Sequence, residues 1–240
     1  MLVRLLICVA MLAPAAAFAQ TCAPAPNADL AGCRFTNANL ENADLRNARL
    51  DGADLRGANL KWANLRGASL KQANLADADL FHTKFDRANL EGAKLTNAHL
   101  FGANFIDASA IGADFTGAYL KDVLMEGADL TRAVLEGVYM LRGVVSGGRL
   151  VEARLAGANM VGADAERTDF TRADLKGATM SGASMEGAVF DGADLDGADF
   201  SNVTGADYSR AVKPPLSEAD ALARSLNRVL TDPAAGRARP

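Results

Sequence analysis

The chain has 240 residues, half of them hydrophobic and 6% aromatic, and its formal net charge is −4. This length is sufficient for one or two ordinary domains, and the mild charge points to no particular class of partner. The sequence also lacks the stripe of basic residues that nucleic-acid binding requires, so we expect no direct contact with DNA or RNA.

The first 19 residues have the three parts of a secretory signal peptide. Met1–Arg4 is a short basic start, Leu5–Ala13 is apolar, and Ala17–Ala19 is a small-x-small cleavage site before Gln20. The apolar run is too short to span a bilayer as a helix. We predict a Sec-type signal peptide over residues 1–19, cleaved after Ala19. The mature protein would then be periplasmic or secreted, without an integral membrane segment.

Cleavage would leave two cysteines in the chain. Cys22 lies in a Pro-rich lead-in at residues 20–27, and Cys33 lies near the start of the long repeat that follows. An even pair in a secreted chain predicts a disulfide, which would pin the lead-in across the first turn of the repeat. Closing a loop of this size contributes about 2–3 kcal/mol. The alternative is a reactive thiol or a metal-binding pair, although no His or further Cys lies nearby.

From Ala28 to Phe200 the chain repeats every five residues without an insertion or deletion. Positions divisible by five form a series of 35, in which Leu occurs 20 times, Phe seven times and Met five times. Two residues earlier, 28 of the 35 units have Ala. A period of five fits neither an α-helix nor a simple strand. It predicts a chain that turns a corner every five residues and stacks on itself as a solenoid.

Within each unit, the large residue and the small residue two positions before it can both point into a narrow tube. The residue between them, such as Asp44 or Asn59, is polar and should face outward. Eighteen of the 22 glycines fall two residues after the large apolar residue, where a tight corner needs a positive φ or little bulk. If four units make one coil, Val123 stacks next to Gly143, so an oversized inward residue adjoins an undersized one.

The unit, which reads Ala-Asp-Leu-Arg-Gly at Ala53–Gly57, resembles the pattern Ala-(Asp/Asn)-Leu-X-X of the pentapeptide-repeat family. The resemblance implies an all-β fold, a right-handed quadrilateral β-helix of about nine coils, which we place at residues 28–207. Some family members mimic duplex DNA, bind the topoisomerase gyrase and so confer quinolone resistance. This is our alternative function. The predicted signal peptide and the nearly balanced surface charge count against it.

One side of the predicted tube differs from the others, because its outward positions are mostly apolar. The residues on this side form two adjacent columns: Phe81, Phe101, Leu141 and Val161 in one, and His99, Tyr119 and Tyr139 in the other. Only Lys121 interrupts the first column. A contiguous apolar patch marks a contact surface, so we predict a face that binds a protein partner or a second copy of the chain. The alternative is a scatter of tolerated apolar residues.

The C-terminal part combines an acidic end of the rod with a basic tail. Residues 181–207 carry six acidic residues and no Lys or Arg, whereas the tail from Tyr208 has six basic residues against three acidic ones. This distribution indicates a tail that folds back on the last coil, although solvated charges could also fall this way by drift.

Within that tail we predict a capping helix segment at residues 208–232. Pro214 and Pro215 break the chain, Ser217 begins a helix, and its apolar residues share one face: Leu222, Leu226, Val229 and Leu230. The helix should pack on the last coil, or alternatively form a dimer contact. Residues 233–240 are expected to be disordered.

No motif in the sequence indicates catalysis. The chain has two histidines, His82 and His99, and neither has a partner at metal-ligand spacing. A regular β-helix also lacks the concave pocket that enzymes need. We therefore expect no enzymatic activity, no cofactor and no metal. The function predicted is that of a non-catalytic, extracytoplasmic structural or interaction scaffold.

Overall fold

The structure, a computed structural model, describes residues 22–217, 219–220 and 222. Within this part the chain forms a stack of square coils. Parallel bridges join each outward residue to the one 20 positions later, from Asp29↔Arg49 through to Ser184↔Thr204. Because the chain turns after every fifth residue, one coil uses four pentapeptides, in agreement with the predicted solenoid.

Each side of a coil contributes a single bridge residue in place of a continuous strand. A turn begins two residues after each bridge, so the extended segment ends before a longer ladder can develop. Over residues 22–217 the four sheet faces are therefore built from isolated parallel bridges, and no strand is long enough to be numbered. The predicted β-helix is confirmed by the parallel bridges that join successive coils.

The backbone N–H groups of a repeat unit are all used, which explains the preferred residue types. In Ala113–Gly117, one N–H closes the preceding turn, one donates to the previous coil and two donate to the next coil. The remaining N–H, that of Thr116, donates to Asp114 Oδ1 at 2.9 Å. Asp and Asn are favoured outward because their side chains satisfy this otherwise unpaired donor.

The corners lie at the positions that glycine marks in the sequence. Every such position from Asn27 to Asn202 has φ between 51° and 71°. The preceding residue has no positive φ, and the residue after the corner donates to the carbonyl three positions earlier, as Ala53 N does to Leu50 O at 3.0 Å. This is the arrangement of a type II turn. Non-glycine residues, including Trp62 and His82, occupy half of these corners.

The interior is a narrow apolar tube filled by the Leu and Ala series, whose members are almost fully buried. Aromatic residues stack along one inner column, with the Phe85 and Phe105 ring centroids 4.6 Å apart. Val123 does stack next to Gly143 as predicted: a Cβ built at Gly143 would lie 3.2 Å from Val123 Cγ1, although the closer obstacle is Met140 Cγ at 2.5 Å. Thr83, which replaces an inward Ala, donates its hydroxyl to Leu60 O at 2.7 Å.

At the N-terminal end, the lead-in crosses the first coil. Asn27 N donates to Arg46 O at 2.8 Å, and the sulfur atoms of Cys22 and Cys33 are 2.09 Å apart, at bonding distance. The predicted signal peptide, residues 1–19, lies outside the described residues.

At the C-terminal end, the 20-residue register changes after Thr204. Val189 pairs with Asp207 and Asp194 with Lys213, so bridging continues six residues beyond the predicted end of the repeat domain at 207. The segment after Tyr208 therefore begins as part of a last, irregular coil and not as a helical cap.

The predicted return of the basic tail is seen at this end. Arg210 bonds Asp191 at 2.5 Å and Lys213 bonds Asp196 at 3.0 Å. Helical conformation is described at Ala219, Asp220 and Leu222, and the N–H of Asp220 donates to Ser217 Oγ at 3.2 Å. The rest of the predicted helix and the tail at 233–240 lie outside the described residues.

Candidate protein-interaction face

The outward apolar residues predicted from the sequence lie on one side of the stack of coils. His99 bridges Tyr119, which in turn bridges Tyr139. The rings of Phe81 and Phe101 are parallel, with centroids 5.4 Å apart, and those of Tyr119 and Tyr139 are parallel at 5.2 Å. The structure therefore brings the predicted columns together as one continuous surface.

Two further residues, absent from the predicted set, extend this surface at its N-terminal end. Trp62 is 48% exposed, and its indole stacks on the ring of His82 with centroids 4.4 Å apart. The same indole meets Phe81 edge-on at 5.3 Å. We call the whole surface the aromatic strip; its members are Trp62, Phe81, His82, His99, Phe101, Tyr119, Lys121, Tyr139, Leu141 and Val161.

The His82 ring lies over the next corner, which is a glycine. Its Nδ1 is 3.2 Å from Gly102 O, and a Cβ at Gly102 would overlap the ring. The glycine thus leaves the space that lets His82 lie flat under Trp62. The signal that could have located both residues is their position: counting by 20 places Trp62 and His82 in one corner column beside Phe81, and they are the aromatic residues among the described corners.

The charged groups bordering the strip are paired or lie against rings. Lys61 bonds Asp79 at 2.9 Å, and Arg142 bonds Asp122 at 2.7 Å. Lys121 Nζ lies 5.8 Å from the centre of the Phe101 ring, within the range of a cation–π contact. Partial burial raises the pKa of Tyr119 above its ordinary value. The strip thus presents phenol hydroxyls, aromatic edges and the ammonium group of Lys121.

The remaining faces of the rod carry ion pairs between and within coils. Arg49 bonds Asp29 at 2.5 Å and Arg172 bonds Glu152 at 2.6 Å, each one coil apart. Such exposed pairs contribute about 0–1 kcal/mol each. Their main consequence is that acidic side chains on these faces are balanced by neighbouring basic ones.

Other kinds of site were sought in the same residues. Among residues 22–217, 219–220 and 222, no group of three His, Cys, Asp or Glu side chains is placed to hold a metal ion. No helix in that part of the chain is both long and apolar enough to cross a bilayer. A concavity at the last coil is lined by Phe200, Tyr208 and Leu216, and by the serine hydroxyls of Ser201 and Ser217.

The repeat geometry agrees with a comparison against protein families. The model for pentapeptide repeats matches residues 27–61, 58–97, 98–137, 149–187 and 168–204. The chain belongs to the pentapeptide-repeat family. The comparisons indicate no catalytic family.

Two solved pentapeptide-repeat structures resemble this one. HetL from the cyanobacterium Nostoc sp. strain PCC 7120, a protein involved in regulating heterocyst differentiation, is 30% identical. The match covers 73% of this chain and 87% of HetL, with a TM-score of 0.51. A trypsin-treated form of QnrB1, a plasmid-mediated fluoroquinolone resistance protein, is 23% identical over 80% of this chain and 89% of its own, with a TM-score of 0.50. At that identity QnrB1 shows the fold alone. A search of curated proteins found no match.

Proposed function

We propose that this pentapeptide-repeat protein is a non-catalytic extracytoplasmic scaffold that binds a protein through the aromatic strip. The observation that carries the proposal is the strip itself. It is a run of partly exposed aromatic and aliphatic side chains over six successive coils, from Trp62 to Val161, on a rod whose other outward positions are mostly polar. Large exposed apolar patches on a protein surface mark contact sites.

The strip departs from the local rules of the repeat in two ways. Tyr119 and Tyr139 stand where Asp or Asn would satisfy the N–H two residues later, and a phenol oxygen cannot reach back to that group. Trp62 and His82 take left-handed corners where glycine is free of strain. Other positions of the rod make the same departures, among them the outward residues Leu124 and Val134 and the other non-glycine corners, so what distinguishes the strip is that its aromatic residues lie side by side.

Two observations support a location outside the cytoplasm. The first is the signal-peptide pattern of residues 1–19. The second is the placement of Cys22 and Cys33 at bonding distance, since disulfides persist in oxidising compartments and are rare in the cytosol. Cell fractionation followed by thiol alkylation tests this: the chain should appear in the periplasmic or culture fraction with both cysteines resistant to labelling until a reductant is added. A chain found in the cytoplasm with reactive cysteines would contradict the proposed location.

The binding role is tested by cross-linking and affinity capture of the secreted chain. The test variant is Phe81→Ser/Phe101→Ser/Leu141→Ser. The matched control is Ile111→Ser/Val151→Ser, which removes half-buried outward residues at the same position of the repeat on another face. A partner that is retained by the control and lost by the test variant supports the proposal. Capture that both variants leave unchanged would remove the strip from the function.

Mimicry of DNA toward gyrase is the alternative function. It draws on the fold likeness to QnrB1, which at 23% identity carries no residue of that protein's site to this chain. The charge pattern argues against it, because the ion pairs between coils neutralise the carboxylates that a duplex-like surface would need to expose. An extracytoplasmic location would also separate the chain from gyrase.

A further inference from the structure

We infer that the aromatic strip is self-complementary and joins two copies of the chain as an antiparallel dimer. This inference rests on the proposed function, because it names the occupant of the same face. The argument uses the regular geometry of the rod: outward residues form straight columns along the axis, with one member per coil, as the bridges from His99 to Tyr119 and from Tyr119 to Tyr139 illustrate.

Symmetry decides which residues meet. When two rods pack face to face and antiparallel, the two-fold axis lies in the interface and runs across the rods. Each column then meets the same column of the other copy in reverse coil order, as an isologous contact requires. Consequently the interface is favourable only where a column is complementary to its own reversal. The strip can be examined for that property coil by coil.

The part of the first column from Phe81 to Leu141 satisfies this condition when the axis passes between the coils of Phe101 and Lys121. Phe101 then meets Lys121 of the second copy, which repeats across the interface the cation–π contact already present within the chain at 5.8 Å. Phe81 meets Leu141 of the second copy, so the partly exposed apolar side chains of the two halves cover each other.

The corner column fits in the same register. Trp62, 48% exposed, meets the corner glycine Gly162 of the second copy. A Cβ at Gly162 would meet Arg142 Cγ at 3.8 Å and no other atom within 4 Å, so the corner itself carries no bulky side chain that would stand against the indole. Arg142 is held by Asp122 through two hydrogen bonds at 2.9 and 2.8 Å, and it therefore enters the contact already neutralised.

The third column supplies the polar contacts. Asp79 meets Tyr139 of the second copy, whose hydroxyl can donate to the carboxylate. His99 meets Tyr119, and Asn59 meets Asn159, so each polar group faces one with which it can form a hydrogen bond. In these three columns no Lys opposes a Lys or Arg and no Asp opposes an Asp, and His82 meets Arg142, which is already bonded to Asp122.

Other registers are less favourable for electrostatic reasons. Moving the axis to the coil of Lys121 places Lys121 against itself and Asp122 against itself. Moving it between the coils of Phe81 and Phe101 places Lys61 against Lys121. An axis on the coil of Phe101 avoids these clashes but leaves Val161 against Glu41 and Lys61 against Leu141. Like charges in an apolar contact are costly. The register between Phe101 and Lys121 opposes no two lysines, pairs Phe81 with Leu141, and leaves Lys61 against Val161 at the ends of the strip, where Lys61 is already bonded to Asp79.

The strip spans six coils, about 24 Å along the rod at the spacing of stacked strands. A contact of this length is small, so we expect a weak, reversible dimer. Trp62 is the one tryptophan of the chain and lies in the contact. Its fluorescence therefore reports association directly.

The test is sedimentation equilibrium of the full chain over roughly 1–200 µM, with Trp62 emission followed on dilution. We expect a concentration-dependent dimer whose tryptophan emission shifts to the red as it dissociates. Phe81→Ser/Leu141→Ser should weaken association at least tenfold, and Ile111→Ser/Val151→Ser should leave it unchanged. A chain that is monomeric throughout, or a dimer that Phe81→Ser/Leu141→Ser leaves intact (as a contact through the C-terminal segment would be), overturns the inference.

The register is tested with two single-cysteine additions and a short bismaleimide linker. A mixture of Asn59→Cys and Asn159→Cys chains should cross-link, because the two positions meet across the axis. Asn59→Cys alone should not, because its two copies lie five coils apart. Cross-linking of Asn59→Cys to Tyr139→Cys would support the axis on the Phe101 coil and overturn the register. A monomeric chain that still captures a partner through the strip would leave the proposed scaffold function intact while removing the dimer.

Discussion

At the scale of single residues, the corner position explains where this repeat is tolerant and where it is not. A left-handed corner accepts Asn, Arg or Gln as well as Gly, since the side chain points outward and the backbone hydrogen bonds hold the turn. The cost is conformational, about 1–2 kcal/mol for a residue with a Cβ. What distinguishes one corner from another is therefore the side chain stacked next to it in the neighbouring coil.

Gly102 and Gly112 test whether the side chain stacked next to a corner determines what that corner tolerates. Both have positive φ, but a Cβ at Gly112 meets nothing within 4 Å, whereas a Cβ at Gly102 overlaps the His82 ring. Gly112→Ala should cost about 1–2 kcal/mol of unfolding free energy. Gly102→Ala should cost about 0.5–1.5 kcal/mol more, because His82 loses its stacking on Trp62. Denaturant unfolding followed by tryptophan fluorescence measures both.

The double variant His82→Ala/Gly102→Ala supplies the control. With the ring removed, the alanine at position 102 should add only the backbone cost seen for Gly112→Ala. If Gly102→Ala and Gly112→Ala lower the free energy of unfolding equally, the His82 ring is free to move aside. The glycine at position 102 would then be unimportant for the strip.

At the scale of the elements, the two ends of the solenoid are closed by different means. The first coil is covered by the lead-in through Cys22 and Cys33, and the last coil is covered by a chain segment that leaves the 20-residue register. An open coil would present unpaired backbone groups to another chain. We therefore expect each end to contribute local rather than global stability.

Cys22→Ser/Cys33→Ser should lower the stability of the first coil by about 2–3 kcal/mol, because the lead-in is no longer tethered in the unfolded ensemble. Amide hydrogen exchange should become faster at Asn27 and Arg49, whose N–H groups join the first two coils. Exchange at Leu95, in the middle of the rod, serves as the internal control and should not change. Unchanged exchange at Asn27 would mean that the lead-in is held without the cysteines.

Acid should weaken the ion pairs of the faces in a defined direction. A hydrogen bond from Arg56 holds the pKa of Asp54 well below its ordinary value. A carboxylate with a depressed folded pKa stabilises the fold above its unfolded pKa, about 3.9, and loses that contribution as the pH falls toward its folded pKa. Tm should therefore be flat between about pH 5 and 8 and decline below about pH 4.

Asp54→Asn isolates this contribution, since the amide oxygen can still accept the Arg56 N–H. Its Tm should be below that of the wild type at pH 7, and the difference should shrink as the pH falls below 4. Asp77→Asn is the control, because Asp77 has no ion-pair partner among the described residues. A difference that stays constant with pH would show that the pair adds nothing beyond the turn hydrogen bond.

At the scale of the whole molecule, the rod is stiff, narrow and nearly charge-balanced, with one aromatic side. Two acidic residues of the last coils, Asp191 and Asp196, are bonded by Arg210 and Lys213 from the returning tail. The resulting surface differs from that of a DNA duplex, whose negative charge is continuous along its length.

We expect the purified chain to leave the supercoiling activity of gyrase unchanged on relaxed plasmid. A variant that makes one face acidic, Arg49→Glu/Arg149→Glu, is the informative comparison. If the balanced surface charge makes the rod unlike DNA, the wild-type chain will not inhibit supercoiling by gyrase. Inhibition by the wild-type chain would instead favour mimicry of DNA and count against the scaffold.

Much of this fold follows from the sequence alone. The five-residue period, the inward Leu and Ala, the corner glycines and the pairing of residues 20 apart all result from one local rule applied repeatedly. Such a rule can be derived from spacing because each coil contacts only its neighbours. The same counting placed Phe81, Phe101, Leu141 and Val161 in one column.

The tertiary structure decided what the rule leaves open. The use of the Asp and Asn side chains as turn acceptors, the stacking of Trp62 on His82 over Gly102, and the register change after Thr204 depend on contacts between particular side chains in adjacent coils. The parallel bridges between coils end at Lys213, where the last segment pairs with the coil before it. The five-residue period does not predict that pairing. Periodicity determined the backbone path of this protein, and packing between neighbouring coils determined which surface positions form a site.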